Sequence, residues 1–255
     1  MNRLTEESRK TIALLASQGR SLRQISEALG LAKSTIYYHT RKTLGRRYVQ
    51  MDFDYSPTRD LGEFLGIFAT DGCFYVDMKR YHYTLSISLS KDQLQYAKIL
   101  QGTIERIVGK RPRIDVKKGI AQLVMRGKAI LGFISHFLVW EGRKAHSIRF
   151  RQAVLHFRKD FLRGVLRGLL AGDGSVYAPK HRLSFGVVSK KLAHQFAALL
   201  RKFSITSHVY PVPYKGKKTL YHVHVTGKTN IRKFKIRVGL TDPVKKGELN
   251  LALRR

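Results

Sequence analysis

The sequence predicts an α+β protein: tandem αββαββα repeats behind a small all-α domain. Three observations carry this. First, "FLGIFATDGCFYV" (64–76) is echoed by "LRGLLAGDGSVYA" (166–178), 102 positions later. Each is a glycine-spaced apolar run of helical character that ends in Asp-Gly and gives way to strand-like sequence. Second, the same order of helix, two strands, helix, two strands and helix follows from each copy. Third, residues 1–47 carry helical periodicity only. With 255 residues and 43% hydrophobic content, the chain can bury a full core.

In residues 1–47, "TEESRKTIALLASQGR" places Ile12, Leu14, Leu15 and Ala16 as apolar positions. Leu22, Ile25 and Leu29 then share one helical face, Gly30 supplies a turn, and Leu31 and Ile36 plug the next helix against the previous one. Ser26 offers a small residue where two helices cross. This pattern resembles a helix-turn-helix whose second helix begins near Lys33. It would present Lys33, Ser34, Thr35, Tyr38 and Arg41 to a major groove. Residues 48–59, "YVQMDFDYSPTR", read as a linker, and the repeats occupy 60–158 and 159–255.

In the first copy the helix at 60–71 is followed by strands "CFYVDMK" and "YTLSISLS" and the helix "KDQLQYAKILQGTIERIV". Strands "RPRIDVKK" and "IAQLVMR" and a helix near "AILGFISHFL" complete it. In the second copy the helix at 161–172 leads to "SVYA", "RLSFGVVS" and the helix "KKLAHQFAALLRKF". The strands "SHVYPVP" and "TLYHVHV" and the helix "NIRKFKIRVG" follow. Two such copies in one chain imply a monomer with internal pseudo-two-fold symmetry.

Charge narrows the partner. Forty-nine Lys and Arg against 17 Asp and Glu give +32, spread through patterned sequence rather than gathered in a tail. Such self-repulsion is relieved by a polyanion, and double-stranded DNA is the favoured one over a membrane surface. The chain shows no secretion or transmembrane signal, so a cytoplasmic, nucleoid-associated protein is expected. The single cysteine, Cys73, excludes a disulfide framework and a Cys-rich zinc site.

The repeated helices carry the candidate chemistry. Gly62, Gly66 and Thr70 recur every four residues in one, and Gly164, Gly168 and Gly172 in the other. Glycine inside a helix costs about 1 kcal/mol relative to alanine, so the stripes imply close backbone approach. Packed stripe to stripe, the helices bring Asp71 and Asp173 together at their C-terminal ends. Carboxylates that close repel each other, and a divalent cation relieves the repulsion. The carbonyls of Thr70 and Gly172 offer further oxygen ligands, and an all-oxygen set suits Mg²⁺, with Mn²⁺ able to substitute. A single Asp-Gly reads as a turn; two, each behind a glycine stripe, read as a metal site.

"FLGIFATDG" (64–72) and "LRGLLAGDG" (166–174) resemble the signature helices of LAGLIDADG homing endonucleases, and the repeat extends that resemblance over residues 60–255. Both copies depart from the consensus at its first acidic position, where Ala69 and Ala171 stand. Both keep the penultimate acid, as Asp71 and Asp173. The resemblance implies two antiparallel sheets forming a saddle over DNA. It also implies Mg²⁺-dependent double-strand cleavage with staggered ends, and intron mobility. A basic residue late in each half assists in the family. "WEGRKAHSI" and "DPVKKGEL" pick Lys144 and Lys245, with Arg143 and Lys246 as competitors. Ser90 and Ser189 stand where the family often carries glutamine after the second strand.

The strands supply a binding surface. In "RPRIDVKK", Arg111, Arg113 and Lys117 alternate with Ile114 and Val116, and Lys79, Arg80 and His82 join them at the first turn. His222 and His224 alternate with Tyr221, Val223 and Val225; lacking a third ligand, they are assigned to the DNA face rather than to metal. Two rivals to the nuclease remain. One is a transcription regulator that has lost cleavage. The other is a maturase acting on intron RNA. No Cys or Ser at residue 1 and no His-Asn end speak against a self-splicing element.

Overall fold

The computed structural model describes residues 4–45, 51–214 and 218–254. The N-terminal helices are α1 (Glu6–Ser17), α2 (Leu22–Leu29) and α3 (Lys33–Leu44). Thr5 caps α1, and Ser21 with Gln24 forms a capping box on α2. Gly30 closes α2 in the left-handed conformation, and the Ser26 hydroxyl donates to the Leu31 carbonyl at 2.6 Å, stapling the turn. Ile12, Ala16, Ile25 and Ile36 form a small separate core. Leu14, expected among the apolar positions, is 58% exposed.

The first half runs α4 (Arg59–Asp71), β1 (Gly72–Asp77), β2 (His82–Ser90), α5 (Leu94–Val108), β3 (Arg113–Lys117), β4 (Ile120–Arg126) and α6 (Ala129–Phe137). A short antiparallel pair, β5 (Leu138–Val139) with β6 (Arg149–Phe150), brackets the four-residue α7 (Lys144–Ser147). The second half runs α8 (Lys159–Asp173), β7 (Gly174–Tyr177), β8 (Arg182–Val187), α9 (Lys190–Lys202), β9 (His208–Tyr214), β10 (Lys218–Thr226), α10 (Lys228–Arg237) and α11 (Pro243–Arg254).

Each half holds one antiparallel four-stranded sheet, β1-β2-β4-β3 and β7-β8-β10-β9, the same order in both. Alternation puts Tyr83, Leu85, Ile87 and Leu89 of β2 on the buried face, with Ala121, Leu123 and Met125 of β4. In the second half Leu183, Phe185 and Val187 of β8 and Val223 and Val225 of β10 do the same. One continuous core joins both halves through α4 and α8. Part of the expected linker packs on the first half. Phe53 stacks on Phe133 of α6 at 4.7 Å between ring centres, and the Asp54 amide donates to the Ile107 carbonyl at 2.8 Å.

Candidate active site and nucleic-acid interface

The glycine stripes set the spacing of α4 and α8. A Cβ added at Gly62 would stand 2.2 Å from the Phe161 carbonyl oxygen, and one at Gly66 2.5 Å from that of Val165. From the other side, a Cβ added at Gly164 would stand 2.0 Å from the Arg59 carbonyl oxygen, and one at Gly168 2.2 Å from that of Glu63. Backbone meets backbone, so any larger residue forces the helices apart. At the N-terminal ends, Arg59 grips Asp160 with two hydrogen bonds of 2.9 and 2.6 Å.

At the C-terminal ends the repeats meet in a cluster of two acids and two lysines. Asp71 leans over the other helix: a Cβ on Gly172 would lie 2.5 Å from its Oδ2 and 2.0 Å from Thr70 Oγ1. Burial pushes the Asp71 carboxyl up to about 6, and the facing Asp173 adds to the shift. Burial also raises Asp173, against the pull of Lys144 and Lys245. Lys144 Nζ donates to the carbonyls of Phe68, Ala69 and Thr70 at 2.7, 2.9 and 3.2 Å. Lys245 Nζ repeats this on Leu170, Ala171 and Gly172 at 2.9, 2.5 and 3.0 Å. Each ammonium thus occupies the negative end of its own half's helix dipole. Burial lowers Lys144 to about 8 even though both acids oppose the shift, and lowers Lys245 too.

The donors suit a hard divalent cation. Two buried carboxylates, Asp173 hindering the ionisation of Asp71, stand at two helix ends whose carbonyls are also oxygen donors, with no soft atom in the set. The carbonyls of Thr70 and Gly172 are not free, as the sequence had suggested; each already accepts from a lysine and has one lone pair left. Among the described residues no cluster of three or more His, Cys, Asp or Glu is placed to hold a metal.

Several residues of this centre escaped the sequence reading. Gln93 Nε2 donates to the Ala171 carbonyl at 3.1 Å and to Asp242 Oδ2 at 2.7 Å, crossing between the halves. Asp242, 1% exposed, accepts the Val244 amide and heads the helix that carries Lys245. Glu63, buried within α4, accepts from the hydroxyls of Tyr96 and Thr241, both at 2.9 Å, and burial raises its carboxyl. One signal was available: Gln93 and Gln195 stand 102 apart, the spacing of the two acids. Ser90 and Ser189 both sit at helix starts, and the buried Ser189 hydroxyl donates to the Ile148 carbonyl at 2.7 Å.

The outward sheet faces follow from register. Arg113, Asp115 and Lys117 pair with Val124, Gln122 and Ile120 on the face opposite the core, with Arg113 in a 2.6 Å ion pair to Asp115. Arg111 does not share this face. It precedes β3 and donates to Glu105 and Gln101 of α5, both at 3.1 Å, on the helical side of the sheet. Lys79 and Arg80 are exposed at the β1–β2 turn and His82 is half-buried there. On the second sheet His222 and His224 face outward with His208 and Tyr210, their neighbours in register. His222 Nδ1 is buried without a hydrogen-bond partner, and burial lowers His224.

In the helical domain Lys33 and Ser34 are exposed and Thr35 half-buried. Arg41 is not an open DNA-reading group: its guanidinium lies over the rings of Tyr37 and Tyr81 at 5.1 and 5.5 Å and reaches the Arg80 carbonyl at 3.5 Å. Tyr38 is 51% exposed on the same helix, beside Tyr81.

Residues 160–239 match the model of a LAGLIDADG-like domain, and residues 2–42 that of a helix-turn-helix domain. Among solved structures, the homing endonuclease I-DmoI in complex with DNA and Ca superposes with a TM-score of 0.58 at 15% identity, covering 76% of this chain and 98% of that one. Two curated relatives come from Methanocaldococcus jannaschii. A probable translation initiation factor IF-2 is 30% identical over 111 residues, 42% of this chain. A replication factor C small subunit is 26% identical over 197 residues, 76% of this chain. The chain spans only 10% of the length of each. No helix among the described residues is long and apolar enough to cross a membrane.

Proposed function

We propose that this chain, with a LAGLIDADG fold behind a helix-turn-helix, is a site-specific DNA endonuclease that makes staggered double-strand breaks with Mg²⁺ or Mn²⁺. The observation that carries this is the doubled centre. Asp71 and Asp173 stand at the ends of two helices whose glycine faces let them approach backbone to backbone, and binding alone does not require such paired acids. The curated relatives fit a shared inserted segment: two unrelated activities are each matched over a tenth of their length. I-DmoI was solved with DNA and with Mn or Ca.

Asp71, Asp173 and the carbonyls of Thr70 and Gly172 would hold the cation, which supplies Lewis-acid charge and an acidified water at the scissile phosphates. The chain's own groups do the rest. The outward sheet faces and the +32 charge hold the duplex across the centre. Lys144 and Lys245, one per half, place an ammonium beside each acid, where negative charge builds on the phosphate. Lys144, lowered to about 8, still carries its proton at neutral pH.

One observation favours a second reading. Both lysines already give three hydrogen bonds to helix carbonyls, so the helix ends are neutralised without a cation and each ammonium partly offsets the acids. A DNA-binding regulator without cleavage needs no more. The two readings separate on a duplex selected by the full chain from a randomised pool. The nuclease gives discrete breaks in Mg²⁺, none in EDTA and none with Asp71→Asn. The regulator gives salt-sensitive binding and an intact duplex throughout.

A further inference from the structure

The turn that ends each half's first hairpin is built alike and used differently. In the first half Tyr81 takes the left-handed conformation, φ 53°, in the turn between β1 and β2. In the second half His181 does so, φ 44°, between β7 and β8. Non-glycine residues adopt this region at a cost, so surrounding contacts must hold each one. His181 Nδ1 is held by the Ala252 carbonyl at 2.6 Å, and α11 thereby closes off that end. Tyr81 is held by the helical domain, through the Arg41 guanidinium over its ring and that guanidinium's hydrogen bond to the adjacent Arg80 carbonyl.

Two further contacts fix the same seam. Lys128 Nζ donates to the Lys42 carbonyl at 3.2 Å while lying 5.9 Å from the Tyr83 ring centre. Gly45, at positive φ after α3, packs on Tyr83 and Lys128 and lines a 270 Å³ cleft with Tyr75, Tyr81, Arg126 and Lys128. The exposed cations Lys79 and Arg80 of the turn adjoin α3 directly, since the Arg80 carbonyl is Arg41's acceptor.

We propose that the helix-turn-helix and the β1–β2 turn form one continuous DNA-reading unit, latched by Arg41 on Tyr81. The bound duplex is then contacted lopsidedly, with the extra major-groove contact only on the flank read by the first half. This rests on the DNA-binding reading above but not on cleavage. Arg41, Tyr81 and Lys128 are positioning residues here. β1 starts beside Asp71 and carries the turn about 20 Å outward at roughly 3.3 Å per residue, so the extra contact begins roughly six base pairs or more from the centre.

The test is affinity cleavage by iron–EDTA on single cysteines in a Cys73→Ser background, using the full chain and a duplex it selects from a randomised pool. Reporters go on Ala32 at the start of α3, on Ser88 in the first sheet and on Ser184 in the second. The proposal expects Ala32 cuts on one flank only, outside the Ser88 cuts and opposite the Ser184 cuts. Arg41→Ala should smear the Ala32 cuts over roughly a helical turn, about 10 base pairs, while the Ser88 and Ser184 cuts stay sharp. Ala32 cuts on the Ser184 flank, on both flanks equally, or absent while the sheet reporters cut would overturn it. So would Ala32 cuts left equally sharp by Arg41→Ala. Diffuse cuts from all three reporters would instead remove the DNA-binding reading itself.

Discussion

The two halves place their acids and lysines alike at the shared centre and part company at their edges. Lys144 and Lys245 reach the same three carbonyls of their helices, although one rides on a four-residue helix and the other on the twelve-residue α11. At the periphery the first sheet presents hydroxyl, amide and paired charges, with Gln122 bonded to Ser88 at 3.1 Å. The second presents three histidines and Tyr210. The lesson is that the centre is constrained by symmetry while each face is free to vary. On the proposed function this follows from the target, because base edges differ along a duplex and the reacting phosphates do not.

The equivalence of the halves can be broken most severely at the acids. Asp71→Asn and Asp173→Asn should each lower double-strand cleavage by about a thousandfold or more and leave binding intact, read by break mapping beside gel-shift titration. Loss in one variant alone would mean that the halves are not equivalent. Next come the stripes. Gly66→Ala and Gly168→Ala should each destabilise by about 3 kcal/mol or more in urea melts, because each methyl meets helix backbone. Gly132→Ala in α6, where the added carbon meets nothing within 4 Å, should instead stabilise by roughly 0.5–1 kcal/mol.

The metal-free centre sharpens the comparison through pH. Asp71 is raised from 3.8 to about 6. Its ionisation therefore costs nothing below about pH 4 and the full amount above about 6. Asp71→Asn should stabilise the metal-free protein by about 1 kcal/mol at pH 7.5, after allowance for solvent screening, and not at pH 4. The smallest effects distinguish the two sides of the first sheet. Lys117→Ala should reduce the salt slope of DNA binding by about one, and Arg111→Ala, whose guanidinium is bound to α5, should leave it unchanged.

Much of this was legible because repetition turns weak signals into strong ones. One Asp-Gly is a turn; two behind matched glycine stripes located the helix contact and its acids. The lysines followed from the family resemblance, and the structure then placed them on the helix ends. What stayed hidden depends on tertiary placement. Arg111 obeys the strand alternation on paper but precedes β3 and folds back on Glu105. Arg41 satisfies the recognition-helix pattern, yet its partner Tyr81 comes from another domain forty residues on. Lys245 could be picked from spacing, but the helix that presents it, α11, lacks a clean periodic apolar face and was not foreseen. Its start is set by Asp242, which is held from the other half by Gln93.

The most direct measurement is end mapping on both strands of the selected duplex, in Mg²⁺, Mn²⁺, Ca²⁺ and EDTA. One discrete break per strand, offset between strands, is expected in Mg²⁺ and Mn²⁺ and none in EDTA. Tight, salt-sensitive binding to a duplex that stays intact in Mg²⁺ and Mn²⁺ would contradict the nuclease reading. The paired acids and lysines would then be a structural clasp in a DNA-binding regulator.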